Sequence, residues 1–268
     1  MERTPAVAGQ FYPGHEEQLR HTIQELLPSR IPSPQKVIAA ISPHAGYIYS
    51  GGVAAQTFSR IDLPTDIIIL GPNHHGYGPE LAIMTEGTWQ MPMGPVKINE
   101  RLAQEVMNKS DVFTPDYSAH QHEHSLEVQI PFLQYFKQDL EIVPICASYI
   151  SFTKCRQAGE ALAAAIKGWP HPVTMVASSD MTHYESRETA SRKDHLALKC
   201  IESLDPAALY ETVIEQQISM CGFIPTTIVM IAANLLGAGQ AELVRYTDSG
   251  EASGDTSQVV GYAGLLIY

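Results

Sequence analysis

Asp66-Ile-Ile-Ile-Leu-Gly-Pro-Asn-His74-His75 is the stretch on which the fold turns. Residues 67–70 are all large and apolar, with no polar residue between them. A half-exposed strand would alternate, so this one is read as buried on both faces, which places it inside a helix-covered sheet. Val37-Ile-Ala-Ala-Ile-Ser-Pro-His44 and Val173-Thr-Met-Val-Ala-Ser-Ser-Asp180-Met-Thr-His183 have the same form. Each is a β-type run that ends on histidine or aspartate. In an open α/β sheet, ligands bind beyond the carboxyl ends of the strands. Three such ends therefore predict one imidazole-rich pocket, a pattern suited to a metal site or an acid–base site.

Working outward, strands are expected near 37–42, 66–71, 140–145, 173–177, 242–246 and 258–267. Helical periodicity falls near 16–27, 51–59, 98–108, 126–137, 154–167, 190–203, 207–216 and 224–236. This alternation predicts an α/β fold with a mainly parallel central sheet and helices on both faces. No linker or repeat divides the chain, so residues 1–268 are expected to form a single domain. Residues 79–96, rich in proline and glycine, read as short strands and loops. Residues 247–257 carry no large apolar side chain, and 249–257 could be a mobile cover over the pocket.

Composition narrows the function. The formal charge is -12 and the 17 lysines and arginines are scattered, which argues against nucleic acid or an anionic membrane as partner. No apolar stretch approaches the roughly 20 residues of a membrane span, and the start lacks a signal-peptide core, so a cytoplasmic protein is expected. The four cysteines, Cys146, Cys155, Cys200 and Cys221, show no CxxC spacing, so neither a zinc ribbon nor a disulfide framework is indicated. P-loop, GxGxxG, HExxH and GxSxG motifs are all missing.

The candidate residues each have a bland alternative. His44, after Ser42-Pro43, could be a hydrogen-bonded structural histidine. His74 and His75 point opposite ways on an extended chain, so only one of them is expected in the pocket, and spacing does not choose. His120, His122 and His124 alternate and would share one side of an extended segment; the first two read better as a solvated loop. Ser125 could cap a helix and fix His124, with Glu127 favoured in the first turn by the helix dipole. Asp180 could orient His183 and set its tautomer, making His183 a general acid or base, while Ser178, Ser179 and Thr182 read as caps. Cys221 precedes a helix whose N-terminus would lower its thiol pKa, although a free cysteine is more often a small core residue. The other three cysteines read as core or helix-face residues.

Several longer motifs now combine. They are Arg3-Thr-Pro-Ala-Val-Ala-Gly-Gln-Phe-Tyr-Pro, Pro43-His-Ala-Gly-Tyr, Gly71-Pro-Asn-His-His and Glu123-His-Ser-Leu-Glu-Val-Gln-Ile-Pro-Phe-Leu. Ser178-Ser-Asp-Met-Thr-His, Cys221-Gly and Gly254-Asp-Thr-Ser-Gln-Val-Val-Gly-Tyr-Ala complete the set. Together they resemble, over nearly the full length, the Memo-like family, called AmmeMemoRadiSam system protein B in prokaryotes. That family is similar to the class III (LigB-type) non-haem iron extradiol dioxygenases. The resemblance implies one α/β domain with a cleft at the strand ends. It implies a metal on His44, His74 and Cys221, catalytic roles for His183 and Asp180, and a pocket position for His124. It thereby selects His74 over His75.

One departure matters. The dioxygenases carry two histidines and a carboxylate, whereas the third position here is a thiol, softer and more easily oxidised. The expectation is one metal ion, iron or copper, with zinc as a further candidate, in a redox metalloenzyme whose substrate is a small molecule or peptide. The resemblance also implies two other readings: a metal-carrying or phosphopeptide-binding module without turnover, and a functional link to a radical-SAM enzyme. The acidic chain speaks against a phosphopeptide. Zinc-dependent hydrolysis is the remaining alternative, since two histidines and a cysteine leave a position for water. A homo-oligomer is compatible with the sequence.

Overall fold

The computed structural model describes all 268 residues. Twelve strands are present: β1 (Glu2–Arg3), β2 (Ala39–Ser42), β3 (Asp66–Pro72), β4 (Leu81–Ile83), β5 (Thr88–Trp89), β6 (Val96–Ile98), β7 (Thr114–Pro115), β8 (Glu141–Ala147), β9 (Val173–Ser178), β10 (His183–Glu185), β11 (Ala241–Asp248) and β12 (Val259–Ile267). Ten helices accompany them: α1 (Glu16–Leu26), α2 (Tyr47–Phe58), α3 (Glu100–Met107), α4 (Ser118–Gln121), α5 (Ile130–Phe136), α6 (Phe152–Gly168), α7 (Arg187–Glu202), α8 (Pro206–Glu215), α9 (Phe223–Leu235) and α10 (Gly250–Ser253). No helix is long and apolar enough to cross a membrane.

All strands join one mixed sheet, with the main path β1-β5-β6-β8-β3-β9-β2-β12-β10. The central neighbours β6, β8, β3, β9 and β2 run parallel. Antiparallel β12 closes one side, paired with β2, β10 and β11. Helices cover both faces, as the apolar run of β3 requires. Ile68 and Leu70 enter the core shared with α6 and α9, while Ile67 and Ile69 enter the opposite core beneath α1, α2 and α5.

Two local readings are corrected. The helix expected over 126–137 divides into a 3-10 turn, Glu127–Gln129, and α5, because Pro131 has no N–H for a continuous ladder and fits only near a helix start. Helix α2 begins a turn earlier than expected. Its interior Gly51 permits close packing on α1, since a Cβ there would lie 2.7 Å from Leu26 Cδ1. Residues 249–257 form a tethered turn around α10. Arg187 grips Asp248 with two bonds of 2.7 Å, and the Arg187 amide donates to the Thr256 carbonyl.

The parallel register sets the site. Ser42 of β2 lies opposite Ser178 of β9, and β3 ends alongside them at Pro72. His44, Asp180 and His74 each stand two residues past their strand, so one end of the sheet presents all three.

Candidate metal centre

His44 is almost fully buried, and its ring is held at both nitrogens. Nε2 lies 3.2 Å from Cys221 Sγ and 3.9 Å from Asp180 Oδ2. Nδ1 lies 2.9 Å from Ser178 Oγ. The Ser178 hydroxyl spends its one proton on the Ser125 carbonyl, at 2.6 Å, and accepts from Gln129 Nε2 at 2.8 Å. Ser178 therefore has only a lone pair to offer His44, so Nδ1 must be the protonated nitrogen. The lone pair of Nε2 then faces the Cys221 sulfur.

His74 is fixed by the same logic. Its Nδ1 lies 2.8 Å from Glu123 Oε1, and its backbone N–H donates to Oε2 at 2.7 Å. Glu123 is fully buried and also accepts the Ser125 amide at 2.9 Å. Burial opposes ionisation of Glu123, yet the His74 and Ser125 bonds outweigh it and hold the carboxyl well below the usual range. The ionised carboxylate thus claims the Nδ1 proton and leaves Nε2 of His74 free. This is the carboxylate–histidine support that metal-ligating imidazoles ordinarily have.

His44, His74 and Cys221 place their donor atoms within 4.8 Å of one another. His74, Glu123 and His124 meet the same distance test. In that second group the Glu123 oxygens are already filled by three N–H donors, so it reads as support for His74. The His124 ring stacks on His74 at 4.7 Å, meets His44 edge-on at 5.6 Å and is backed by Phe11 at 5.0 Å.

Burial keeps the His44 and His124 imidazoles neutral. It holds His44, with help from the His74 ring, well below the ordinary imidazole range, and brings His124 to about 4. Burial, and then Asp180, push the Cys221 thiol up. This reverses the expectation of a helix-lowered thiol, because desolvation outweighs the backbone N–H groups of Asp180, Cys221 and Gly222 that favour a thiolate. Burial likewise raises Asp180 above the usual carboxylate range, against the hydrogen bond from the His44 amide at 2.7 Å.

Cys221 reaches the cluster through a close backbone crossing. A Cβ on Gly222 would lie 2.2 Å from the Ser178 carbonyl oxygen, so only glycine lets this loop meet the end of β9. Ser179 Oγ accepts the Gly222 amide at 3.0 Å, and the Asp180 amide donates to Cys221 Sγ at 3.3 Å.

Of the expected residues, His44, His74, His124, Asp180 and Cys221 come together, and His183 lies within electrostatic reach of Asp180 and His44. No hydrogen bond joins Asp180 to His183. Instead Ser219 orients that ring: its carbonyl meets Nδ1 at 2.9 Å and its hydroxyl accepts the His183 amide at 2.8 Å. His75 is exposed beside Tyr77 and stays outside the cluster, as does exposed His122. His120 is fully buried on α4, its Nδ1 3.4 Å from Cys146 Sγ, so it is not part of a solvated loop. Ser125 caps no helix; its hydroxyl donates to the Pro72 carbonyl. Glu127 pairs with buried Arg3 at 2.6 Å and accepts from the Ala6 and Val7 amides and the Tyr12 hydroxyl. Cys146 and Cys155 are buried and Cys200 is partly buried, as expected, and all four cysteines are free.

Sequence reasoning missed Glu123, Ser178, Gln129 and Ser219 as supports. The available signal was a carboxylate next to His124 in a histidine-rich run, and a serine at the last position of a buried strand.

Comparison with known proteins agrees with the motifs. A family model described as Memo-like protein matches residues 3–266. A MEMO1 family protein of Methanopyrus kandleri is 41% identical over 279 residues, covering 99% of each chain. One of Methanocaldococcus jannaschii is 38% identical, covering 99% of this chain and 98% of its own. One of Thermotoga maritima is 38% identical over the whole of both chains. Among solved structures, an uncharacterized protein of Escherichia coli K12 superposes with a TM-score of 0.61 at 14% identity. It covers 87% of this chain and all of its own, a likeness of fold alone.

Proposed function

The chain belongs to the Memo-like family, and from that premise we propose that it is a metalloprotein holding one transition-metal ion on His44, His74 and Cys221. One observation carries the reading. Both histidines have Nδ1 committed to a buried oxygen, and a thiol lies in the same donor cluster, 3.2 Å from His44 Nε2. The donors suit a metal of intermediate or soft character, and three protein ligands leave a position open. Iron or copper there would supply redox chemistry, and we read the chain as a redox metalloenzyme acting on a small molecule.

The chain's own residues divide the remaining tasks. Ser178 and Glu123 keep the two ring protons off the ligating nitrogens. Asp180 holds the His44 loop through its backbone amide. With Nδ1 on the Ser219 carbonyl, His183 has Nε2 available to take or give a proton. His124, partly exposed beside His74, contacts the bound molecule.

Elemental analysis of untagged protein purified without oxygen tests the ligand set. The wild type is expected to carry about one equivalent of metal, lost in His44→Ala, His74→Ala and Cys221→Ser. Full occupancy in those variants would sink the assignment. The open position and the free His183 nitrogen also suit zinc-dependent hydrolysis. Native zinc, with esterase turnover abolished in His183→Ala, would move the assignment there.

A further inference from the structure

The motif Gly254-Asp-Thr-Ser-Gln-Val-Val-Gly-Tyr262-Ala has no part in the ligand set above. It leads from the turn after α10 into β12, and the sheet register carries its tyrosine to the cluster. Leu265 of β12 lies opposite Ile41 of β2, antiparallel, so residues 264–259 run on past the end of β2 that leads to His44. Beyond the end of β2, β12 pairs with β10, Val260 opposite His183. The Met181 amide donates to the Gly261 carbonyl at 2.8 Å, and the Gly261 amide to the Thr182 carbonyl at 2.9 Å. The strand is therefore stitched to the turn that bears Asp180 and His183. Gly261 allows this approach, because a Cβ there would lie 2.1 Å from Asp194 Oδ2 and 3.0 Å from Met181 Cβ.

The phenol itself is unusual in this protein. Tyr262 is 2% exposed. The other two buried tyrosines both have acceptors: Tyr12 donates to Glu127 at 2.6 Å and Tyr47 to the Val128 carbonyl at 2.8 Å. The Tyr262 hydroxyl has no protein partner, and it is not among the sealed, unpartnered polar atoms, so it keeps a narrow opening to solvent. Its electrostatic neighbours are Asp180, Tyr49, Asp248 and Tyr184; burial first, and then Asp180, keep the phenol protonated and hence a donor. Buried tyrosine hydroxyls ordinarily find a partner.

We propose that the Tyr262 hydroxyl is a ligand-binding donor of this site, hydrogen-bonding an oxygen of the molecule that takes the open position on the metal. The proposal rests on the metal reading above. It also sets the ligand class. No lysine or arginine bonds to His44, His74, Asp180, His183 or Cys221, and Asp180 is a buried carboxyl. The site therefore suits a neutral or singly charged oxygen ligand and disfavours a charge-dense anion such as phosphate.

The test uses the full chain loaded with cobalt(II), with acetohydroxamate as probe and the visible bands of cobalt as readout. Tyr262→Phe is expected to bind one cobalt with an unchanged resting spectrum and to bind hydroxamate about tenfold more weakly, the worth of one hydrogen bond. Tyr49→Phe is expected to bind it as the wild type does. Placing 3,5-difluorotyrosine at 262 makes the phenol a stronger donor without changing its shape, and should tighten binding below the phenol's own pKa. If both changes at 262 leave affinity within twofold while cobalt stays bound, the Tyr262 assignment falls and the metal site stands. An equal loss in Tyr49→Phe, or a cobalt-loaded wild type that takes no hydroxamate, also overturns it. A wild type that takes no cobalt overturns the metal reading and this proposal with it.

Discussion

Glu123→Gln removes one charge and no metal ligand, which isolates the support given to His74. In the wild type Oε2 accepts the His74 amide, while Oε1 accepts both His74 Nδ1 and the Ser125 amide. A glutamine in this place has one acceptor oxygen. If that oxygen takes the Oε1 position, the imidazole bond survives as a neutral one and the His74 amide faces an NH2 group. If it takes the other position, Nδ1 faces a donor and can keep a hydrogen bond only by moving its proton to Nε2, the nitrogen assigned to the metal in the proposed site. Either way a charge-assisted bond worth about 1.5–3 kcal/mol is reduced to about 1 kcal/mol or lost. Supporting residues of this kind typically change metal affinity by about 10- to 100-fold. We expect a drop in that range, read by competition with a chromophoric chelator for zinc or cobalt. The variant should still fold and bind at saturating metal. A folded Glu123→Gln that matches the wild-type affinity within twofold would refute the tautomer argument.

Three further outcomes are expected. Gly222→Ala should cost about 1–3 kcal/mol or more in chemical denaturation and weaken metal binding, since its Cβ would press on the Ser178 carbonyl; wild-type values for both would contradict the crossing. Arg3→Met should cost about 3–5 kcal/mol, because it leaves the buried Glu127 carboxylate and the His120 and Glu123 carbonyls without their cation; a change under about 1 kcal/mol would count against the pair. His120, which burial lowers to about 4, gives a pH signature. Above the unfolded value of about 6.5 both states are neutral; as pH falls towards 4 only the unfolded chain gains a proton, so stability drops, by about 3 kcal/mol in all. Urea midpoints between pH 7 and 4.5 should fall more steeply in the wild type than in His120→Asn, and parallel slopes would exclude that origin.

Much of this fold is legible in the sequence where burial is two-sided. Ile67–Leu70 can only be an interior strand, and the residues beyond Ser42, Pro72 and Ser178 fall at one end once the strands run parallel. What stays hidden depends on partners far away in the chain. Arg3 meets Glu127 from a two-residue strand with no periodicity of its own, and that pairing gives Glu127 a task that helix propensity does not foresee. His120 looks solvated in a polar run, yet α4 turns it inward against Cys146 and Trp89. The orienting partner of His183 is Ser219, from the loop before α9, and not the aspartate three residues away. Tautomers are invisible for the same reason: they follow from which oxygens have already spent their protons.

The most direct test of the central claim is X-ray absorption at the zinc edge of zinc-loaded protein. Two imidazole nitrogens at about 2.0–2.1 Å and one sulfur at about 2.3 Å are expected, with the sulfur shell lost in Cys221→Ser. A first shell of nitrogen and oxygen alone in the wild type would contradict a centre built on His44, His74 and Cys221.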